Sequence, residues 1–225
     1  MPISACGLRL DDEAVRVAIG MRLGSELCQP HRCPCGALVD TLGSHALSCR
    51  QNSGRTQRHH YLNDLVWRAL SRAGIPSVKE PHGLVRSDGK RPDGLTLVPW
   101  QAGRCATWDV TVTHTVADSF VGISAACAGA AAEAAANRKE AKYIDISRSH
   151  LFFPVAFETM GPINQTGSDF LSLLGRRLAT VTDDPRESFF LFQRLSIAIQ
   201  RYNTICFTES FCSVRDDYTE HSRHT

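Results

Sequence analysis

The residues with the clearest chemical potential are three acids placed beside predicted strands. Asp93 stands in an Arg-Pro-Asp-Gly string at the head of one predicted strand, and Asp109 lies within the next, in a Trp-Asp-Val-Thr-Val run. Glu80 comes one strand earlier, in a Lys-Glu-Pro string. Carboxylates gathered in this way hold hard divalent cations such as Mg²⁺ or Mn²⁺ through oxygen, and such cations support phosphodiester hydrolysis. The pattern therefore indicates a metal-dependent hydrolytic site.

The two principal acids differ in how unusual their surroundings are. An Arg-Pro-Asp-Gly string is by itself typical of a structural turn, so Asp93 alone would indicate little. A charged side chain inside a strand of β-branched residues is costly unless it is paired or bound to a metal. The hydrolytic interpretation therefore depends on Asp93 and Asp109 occurring together.

Cysteines and histidines crowd between residues 28 and 49 at spacings typical of a structural zinc site. Our first-choice ligands are Cys33, Cys35, His45 and Cys49. The Cys-x-Cys spacing is tighter than the usual two-residue gap, so Cys28 or His31 stand as substitutes for Cys33. The alternative interpretation is that these thiols are buried as small apolar groups.

The remaining cysteines of the nine are scattered along the chain. An odd count with this distribution favours a metal site and reduced thiols over a disulfide framework, as expected in a reducing compartment. No apolar run reaches the roughly 18 residues that a membrane span needs, and the N-terminus lacks the features of a signal peptide. We therefore expect a nuclear or otherwise intracellular protein without a membrane association.

Positive charge is unevenly distributed, although the formal net charge is only +2. Nine lysines and arginines between residues 50 and 91 face three acids, and five arginines fall between residues 176 and 201. Two groups of basic residues around an acidic centre that binds a metal would favour the binding of a nucleic-acid phosphate backbone, because basic side chains release its counterions. The alternative is that these charges belong to ordinary solvated helix faces. The residues expected to contact nucleic acid are Arg55, Arg58, His59, His60 and Arg91.

At 225 residues, with 43% hydrophobic and 21% charged residues, the chain should form one α/β core with a small appendage. Periodicity predicts helices at 11–23, 62–73, 117–146, 169–179 and 185–202. It predicts strands at 75–78, 94–100, 106–113 and 151–157. Residues 51–54 should form a linker. We expect an N-terminal helix and zinc knuckle at 1–54, the main domain at 55–207 and a polar tail at 208–225.

The order of these elements resembles the α-β-β-β-α-β core of the PD-(D/E)xK, restriction-endonuclease-like nucleases. Five strings behind the Cys/His segment are also similar to the C-terminal endonuclease region of site-specific non-LTR retrotransposons. These strings are Arg-His-His at 58–60, Lys-Glu-Pro at 79–81, Arg-Pro-Asp at 91–93, Asp-Val-Thr-Val at 109–112 and Arg-Lys-Glu-Ala-Lys-Tyr at 138–143. The resemblance covers residues 33–143 and implies a mixed central sheet flanked by helices.

The resemblance implies that Asp93 and Asp109 bind the catalytic metal. It also implies that the catalytic lysine has moved from the third strand to the following helix. Thr111 occupies the position, two residues after Asp109, where the common motif has its lysine. Lys139 and Lys142 both qualify as the relocated lysine, since residues three apart on a helix share a face.

The resemblance also bears on partners and on the third acid. Glu80 would be a third ligand or would act through a water molecule. In such elements a reverse transcriptase precedes the knuckle and nuclease, so we expect a detached module or a fragment of a longer reading frame, with the polymerase in cis or in trans. The expected function is an Mg²⁺-dependent DNA endonuclease with a structural zinc ion. The alternatives are a junction-resolving or repair nuclease on the same fold, or a non-catalytic zinc-dependent nucleic-acid-binding module.

Overall fold

A computed structural model describes residues 7–211, and residues 1–6 and 212–225 lie outside it. Most of the expected tail at 208–225, together with Cys6 and Cys212, is therefore outside the described residues. Between residues 7 and 211 the α-helices are α1 (Asp12–Leu23), α2 (Ser44–Ser48), α3 (Ser53–Arg72), α4 (Val121–Ala126), α5 (Ala130–Lys142), α6 (Gln165–Thr182) and α7 (Glu187–Thr208). The strands are β1 (His31–Arg32), β2 (Leu38–Val39), β3 (Ser77–Lys79), β4 (Gly94–Thr96), β5 (Ala106–Thr113) and β6 (Leu151–Glu158). The fold is a mixed α/β structure.

Four strands form a mixed sheet in the order β3-β4-β5-β6. The pairs β3–β4 and β4–β5 are antiparallel, whereas β5 and β6 run parallel along their whole length, from Ala106 opposite Leu151 to Thr113 opposite Glu158. Parallel neighbours need a long crossover connection, and the segment with α4 and α5 provides it. The separate pair of β1 and β2 belongs to the Cys/His segment.

The alternation of side chains along β5 decides which residues meet which layer of helices. Ala106, Trp108 and Val110 enter the main core with the apolar residues of α3, α6 and α7. The residues between them, including Asp109, therefore point to the opposite face of the sheet. On that face Ala132 and Ala136 of α5 pack against Ala156 of β6. Such small side chains let α5 approach the sheet closely.

The long helix expected at 117–146 is broken in the structure, so that prediction is wrong. Helix α4 ends before Cys127, whose backbone is extended, and Gly129 has a φ of +89°. That left-handed conformation cannot continue a helix and suits glycine, which has no Cβ. Helix α5 starts directly after it, with Glu158 accepting hydrogen bonds from its first-turn N–H groups. A contact distant in sequence therefore defines the start of α5.

The prediction of a linker at 51–54 is also wrong for residues 53 and 54, because α3 begins at Ser53. Asn52 caps the helix by accepting from Gly54 N at 3.0 Å, and its amide donates to the Cys206 carbonyl at 2.7 Å. Glu209 also accepts from Gly54 N, at 2.7 Å. Tertiary contacts with the end of α7 thus extend α3 well before the apolar periodicity starts.

Other element boundaries also differ: α6 spans Gln165–Thr182 instead of 169–179, and β3 spans Ser77–Lys79 instead of 75–78. Strand β4 ends at Thr96 instead of residue 100, and α7 continues to Thr208 instead of ending near residue 202. Strand β5 spans Ala106–Thr113, as predicted. Helix α1 and the Cys/His segment pack on the end of α7 through a cluster of Val17, Leu27 and Phe207. No helix within residues 7–211 combines the length and apolar character that crossing a membrane requires.

Candidate active site and metal centre

Asp93 is held against β5 by both its backbone and its side chain. Its N–H donates to the carbonyl of Trp108 at 2.9 Å, just before β4 begins. Its Oδ2 accepts a hydrogen bond from Val110 N at 2.6 Å. These contacts flank Asp109 on either side, so the two acids expected to act together are brought to neighbouring positions of the sheet.

Asp109 is 3% exposed and points to the α5 side of the sheet. Lys139 of α5 reaches it, with Nζ at 2.5 Å from Asp109 Oδ1. Burial raises the pKa of Asp109, and the negative charge of Asp93 raises it further. The charge of Lys139 opposes this increase without cancelling it. The site therefore contains two mutually repelling carboxylates and one nearby cation.

The second candidate lysine has a different environment. Lys142 Nζ donates to the Tyr143 hydroxyl at 2.9 Å and lies 4.4 Å from the centre of that ring. The Tyr143 hydroxyl in turn donates to the carbonyl of Arg91 at 2.8 Å. Burial, and then the charge of Asp109, raise the pKa of Tyr143. The structure thus brings Lys139 to the acid pair, whereas Lys142 packs on the tyrosine beside it. Sequence reasoning gave Tyr143 no role, although it closes the string that contains both lysines.

Glu80 lies at the edge of this site and is paired with a base. It forms an ion pair with Arg91, which lowers the pKa of Glu80. Its side chain is half exposed, and its backbone N–H donates to the carbonyl of Asp93 at 2.9 Å. Within residues 7–211, the three acids do not form a group whose ligand atoms all lie within 4.8 Å of one another. Glu80 and Arg91, one expected as a ligand and the other as a nucleic-acid contact, are therefore partners of each other here.

The two histidines of α3 differ in their contacts. His59 Nε2 lies 3.2 Å from Asp93 Oδ1, which links α3 to the acid pair. Burial lowers the pKa of His59, but its hydrogen bond to Asp93 and the charges of Asp93 and Asp109 outweigh this, so the pKa is raised. His60 is exposed and contacts His59 ring edge to face. Only His59 therefore touches the candidate site.

A basic cleft of about 350 Å³ opens next to His59. It lies between the start of α3 and the second half of β5. Its lining residues are Arg50, Arg55, Thr56, Arg58, His59, Thr111 and Val112. Arg55 and His59 were expected to contact nucleic acid, whereas Thr56 was not. The signal that could have indicated Thr56 is its position one turn before His59 on the same helix.

Arg58 requires a correction, because it is not a surface contact. Arg58 is 1% exposed, and its Nη1 donates to Asn203 Oδ1 at 2.7 Å. Nη2 donates to the Leu47 carbonyl at 3.4 Å. Because α3 is helical from Ser53, Arg58 lies one turn before Leu62 on the buried face of the helix, towards α7. Arg58 therefore lies at the base of the cleft instead of on the outer surface of the protein.

The Cys/His segment gathers its four first-choice ligands into one cluster. The potential ligand atoms of Cys33, Cys35, His45 and Cys49 all lie within 4.8 Å of one another, and this cluster could hold a zinc ion. Cys33 Sγ is 3.8 Å from Cys49 Sγ, and Cys35 Sγ is 3.2 Å from His45 Nε2.

Local structure explains how so short a segment brings these groups together. A tight turn between β1 and β2 carries the first two cysteines, with Gly36 at φ +89° and its N–H donating to the Cys33 carbonyl at 2.8 Å. Helix α2 carries His45 and is capped at its C-terminus by Cys49, whose N–H donates to the His45 carbonyl. A backbone N–H at Ala37 lowers the pKa of Cys35 to about 7, which favours the thiolate that zinc binds.

The two substitute ligands have other partners. Cys28 Sγ contacts the carbonyl of Asp40 at 3.4 Å. His31 Nε2 forms a hydrogen bond of 3.0 Å with Ser210 Oγ, and the His31 ring stacks on Phe211. Every cysteine within residues 7–211 is free of disulfide bonds. The geometry therefore favours the first-choice set over either substitute.

No family model matches this sequence, and no curated protein is similar enough to it to count as a relative. The functional assignment therefore depends on the chemistry of the site itself.

Proposed function

We propose that this protein is an Mg²⁺-dependent DNA endonuclease of the restriction-endonuclease-like class, similar to the nuclease modules of site-specific non-LTR retrotransposons. The observation that carries the proposal is the 2.5 Å contact between Lys139 Nζ and Asp109 Oδ1. Thr111 stands where the common motif has its lysine, and a lysine of α5 reaches Asp109. A relocated lysine of this kind is what the resemblance requires.

The acid pair is suited to a divalent cation. Asp109 is buried, and its pKa is raised by burial and then by the nearby charge of Asp93. A pair of carboxylates that repel each other is stabilised by a cation held between oxygen ligands, and Mg²⁺ uses one or two carboxylates with water and phosphate oxygens. Asp93 and Asp109 would hold that ion. When bound there, Mg²⁺ or Mn²⁺ supplies Lewis acidity and lowers the pKa of a coordinated water.

The surrounding residues have separate tasks in this proposal. Val110 N–H and His59 each hold one oxygen of Asp93, so its carboxylate is fixed before substrate arrives. Lys139 brings a positive charge to the place where negative charge would develop on the phosphate in the transition state. Preorganised charge of this kind contributes a few kcal/mol to the lowering of the barrier.

The rest of the molecule supplies surfaces for the substrate. The Cys/His segment precedes α3, the helix that carries His59, and would contact the DNA from there. In this proposal the enzyme acts on nuclear or other intracellular DNA. A reverse transcriptase in cis or in trans would use the nick that it makes.

One observation favours a second candidate, a non-catalytic zinc-dependent nucleic-acid-binding module. The contact of Lys139 with Asp109 already compensates a buried carboxylate, and ion pairs of this kind also occur for structural reasons alone. In that case Asp93 and Asp109 would bind no metal, and the protein would bind DNA without cleaving it.

A nicking assay distinguishes the two candidates. Supercoiled plasmid is incubated with the protein and Mg²⁺, with Ca²⁺ in parallel, and relaxed product is measured. We expect nicking by the wild type, none by Asp93→Asn, and a loss of roughly 10²-fold or more in Lys139→Met. Lys142→Met is the matched control and should stay within a few fold of the wild type.

The controls also define what would contradict the proposal. DNA binding by Asp93→Asn and Lys139→Met should stay close to that of the wild type, since both residues serve the reaction more than ground-state binding. Absence of Mg²⁺-dependent nicking in a zinc-loaded, DNA-binding wild type would support the non-catalytic module. Cleavage of a four-way junction alone, with intact plasmid, would support the junction-resolving alternative.

A further inference from the structure

The basic cleft next to His59 has a composition that points to a negatively charged ligand. Three arginines and one histidine line it, together with Thr56, Thr111 and Val112, and its lining includes no acidic residue. Arg50 and Thr56 are exposed, and Arg55 is partly exposed. The cleft is therefore open to solvent and positive in potential.

The buried Arg58 supplies a second, independent indication. Arg58 also lines the cleft, at 1% exposure, and its Nε has no hydrogen-bond partner among residues 7–211. Its other two nitrogens donate to neutral groups, at Asn203 and Leu47. No carboxylate within residues 7–211 forms an ion pair with it. Burying an unpaired charge is costly, so an anion bound in the cleft would stabilise the guanidinium of Arg58.

We propose that the cleft binds a backbone phosphate of the substrate strand, close to the phosphate that is cleaved. The inference deepens the proposed function and rests on it, because His59 both lines the cleft and contacts Asp93 Oδ1. A phosphate here would receive hydrogen bonds from the exposed arginines and the Thr56 hydroxyl. It would also compensate the charge of Arg58 from above.

The position of the cleft determines the path that the bound DNA strand would take across the protein. Arg50 directly follows the zinc-ligand candidate Cys49, and Thr111 is two residues beyond Asp109 on β5. A strand with one phosphate in the cleft would therefore run from the Cys/His segment towards the acid pair. Folding of the Cys/His segment around zinc would place Arg50 at one wall of the cleft, which couples metal binding to substrate binding.

The first test measures duplex DNA binding by fluorescence anisotropy over a range of salt concentrations, with Ca²⁺ in place of Mg²⁺. Each phosphate contact contributes about one to the slope of log Kobs against log salt. We expect Arg50→Ala to reduce that slope by about one and to weaken binding roughly tenfold. Arg148→Ala is the matched control, because Arg148 is 81% exposed and lies at the other end of the β5–β6 pair.

The second test uses inorganic phosphate as the probe and melting temperature as the readout, at constant ionic strength made up with chloride. Phosphate in the cleft should raise the melting temperature of the wild type by roughly 3 °C or more at a concentration well above its Kd. Arg50→Ala and Arg58→Met should each lose most of this rise. Since Arg50 is an exposed residue, its variant keeps the test valid if Arg58→Met does not fold.

The two tests separate the failure of this inference from the failure of the proposed function, because neither requires cleavage. An unchanged salt slope in Arg50→Ala, or an equal change in Arg148→Ala, would overturn the inference even if the wild type nicks DNA. An unchanged phosphate effect in both cleft variants would do the same. Loss of both effects in a protein that never cleaves DNA would support the phosphate site and leave the nuclease proposal refuted.

Discussion

Glu158 Oε1 accepts a hydrogen bond of 3.0 Å from the backbone N–H of Ala131, which ties the end of β6 to the first turn of the helix that carries Lys139. The same oxygen accepts from Ala132 N at 3.2 Å. A carboxylate at a helix N-terminus is favoured by the helix dipole and by the unpaired N–H groups there. The position of Lys139 next to Asp109 therefore depends on a residue at the far end of the neighbouring strand.

We predict that Glu158→Ala lowers the free energy of unfolding by about 2–3 kcal/mol, because two buried N–H groups lose their acceptor. Urea denaturation followed by circular dichroism measures this. Glu140→Ala, an exposed position on the same helix, is the control and should change stability by less than about 0.5 kcal/mol. Equal stabilities of the two variants would show that Glu158 does not anchor α5.

Zinc content should depend on the four clustered ligands. Metal analysis of the purified protein should find about one zinc per chain, and Cys49→Ser should lose it, because the small segment depends on the metal for its folding energy. Cys28→Ser is the control and should retain zinc, since Cys28 Sγ faces backbone carbonyls outside the cluster. Stoichiometric zinc in both Cys35→Ser and Cys49→Ser would refute this ligand set.

Stability should fall in acid partly because of His114. This residue is 6% exposed, and burial, followed by the charge of Arg58, lowers its pKa to about 4. The unfolded chain therefore takes up a proton that the folded protein resists. The contribution of neutral His114 to the free energy of unfolding is fully present above about pH 6.5. It is lost as the pH falls towards 4, by up to about 3 kcal/mol.

The comparison of wild type with His114→Gln tests this dependence. The difference in their free energies of unfolding should favour the wild type at pH 7.5 and shrink or reverse at pH 4.5. His60→Gln, at an exposed position, should follow the wild type across the range. Parallel pH profiles for wild type and His114→Gln would mean that His114 does not titrate as its burial implies.

The break between α4 and α5 should also be measurable. Gly129→Ala places a Cβ at a φ of +89° and should cost about 1–2 kcal/mol in unfolding free energy. Gly122→Ala, inside α4 and with open space around its Cα, should be neutral or stabilising by up to about 1 kcal/mol. If both variants stabilised the protein, a continuous helix over 117–146 would be the better description.

Patterns that act over a few residues determined much of this molecule from the sequence alone. The β-branched run gave the correct bounds of β5, and the helix predicted at 11–23 is α1, which begins one residue later because Asp11 is its cap and accepts a hydrogen bond from Ala14 N. The spacing of Cys33, Cys35, His45 and Cys49 also indicated the cluster that could hold zinc. These features are readable because propensity, capping and ligand spacing depend on neighbours in the chain.

Tertiary contacts decided the rest. Sequence spacing left Lys139 and Lys142 equivalent, and only the start of α5, set by Glu158 and Gly129, turned Lys139 to Asp109 and Lys142 to Tyr143. Arg58 was expected at the surface, but the contact of Asn52 with the end of α7 extends α3 back to Ser53, and the arginine then lies on the same buried face as Leu62. Such outcomes depend on groups far apart in the chain whose packing fixes the rotation and start of each helix. No local pattern encodes that information.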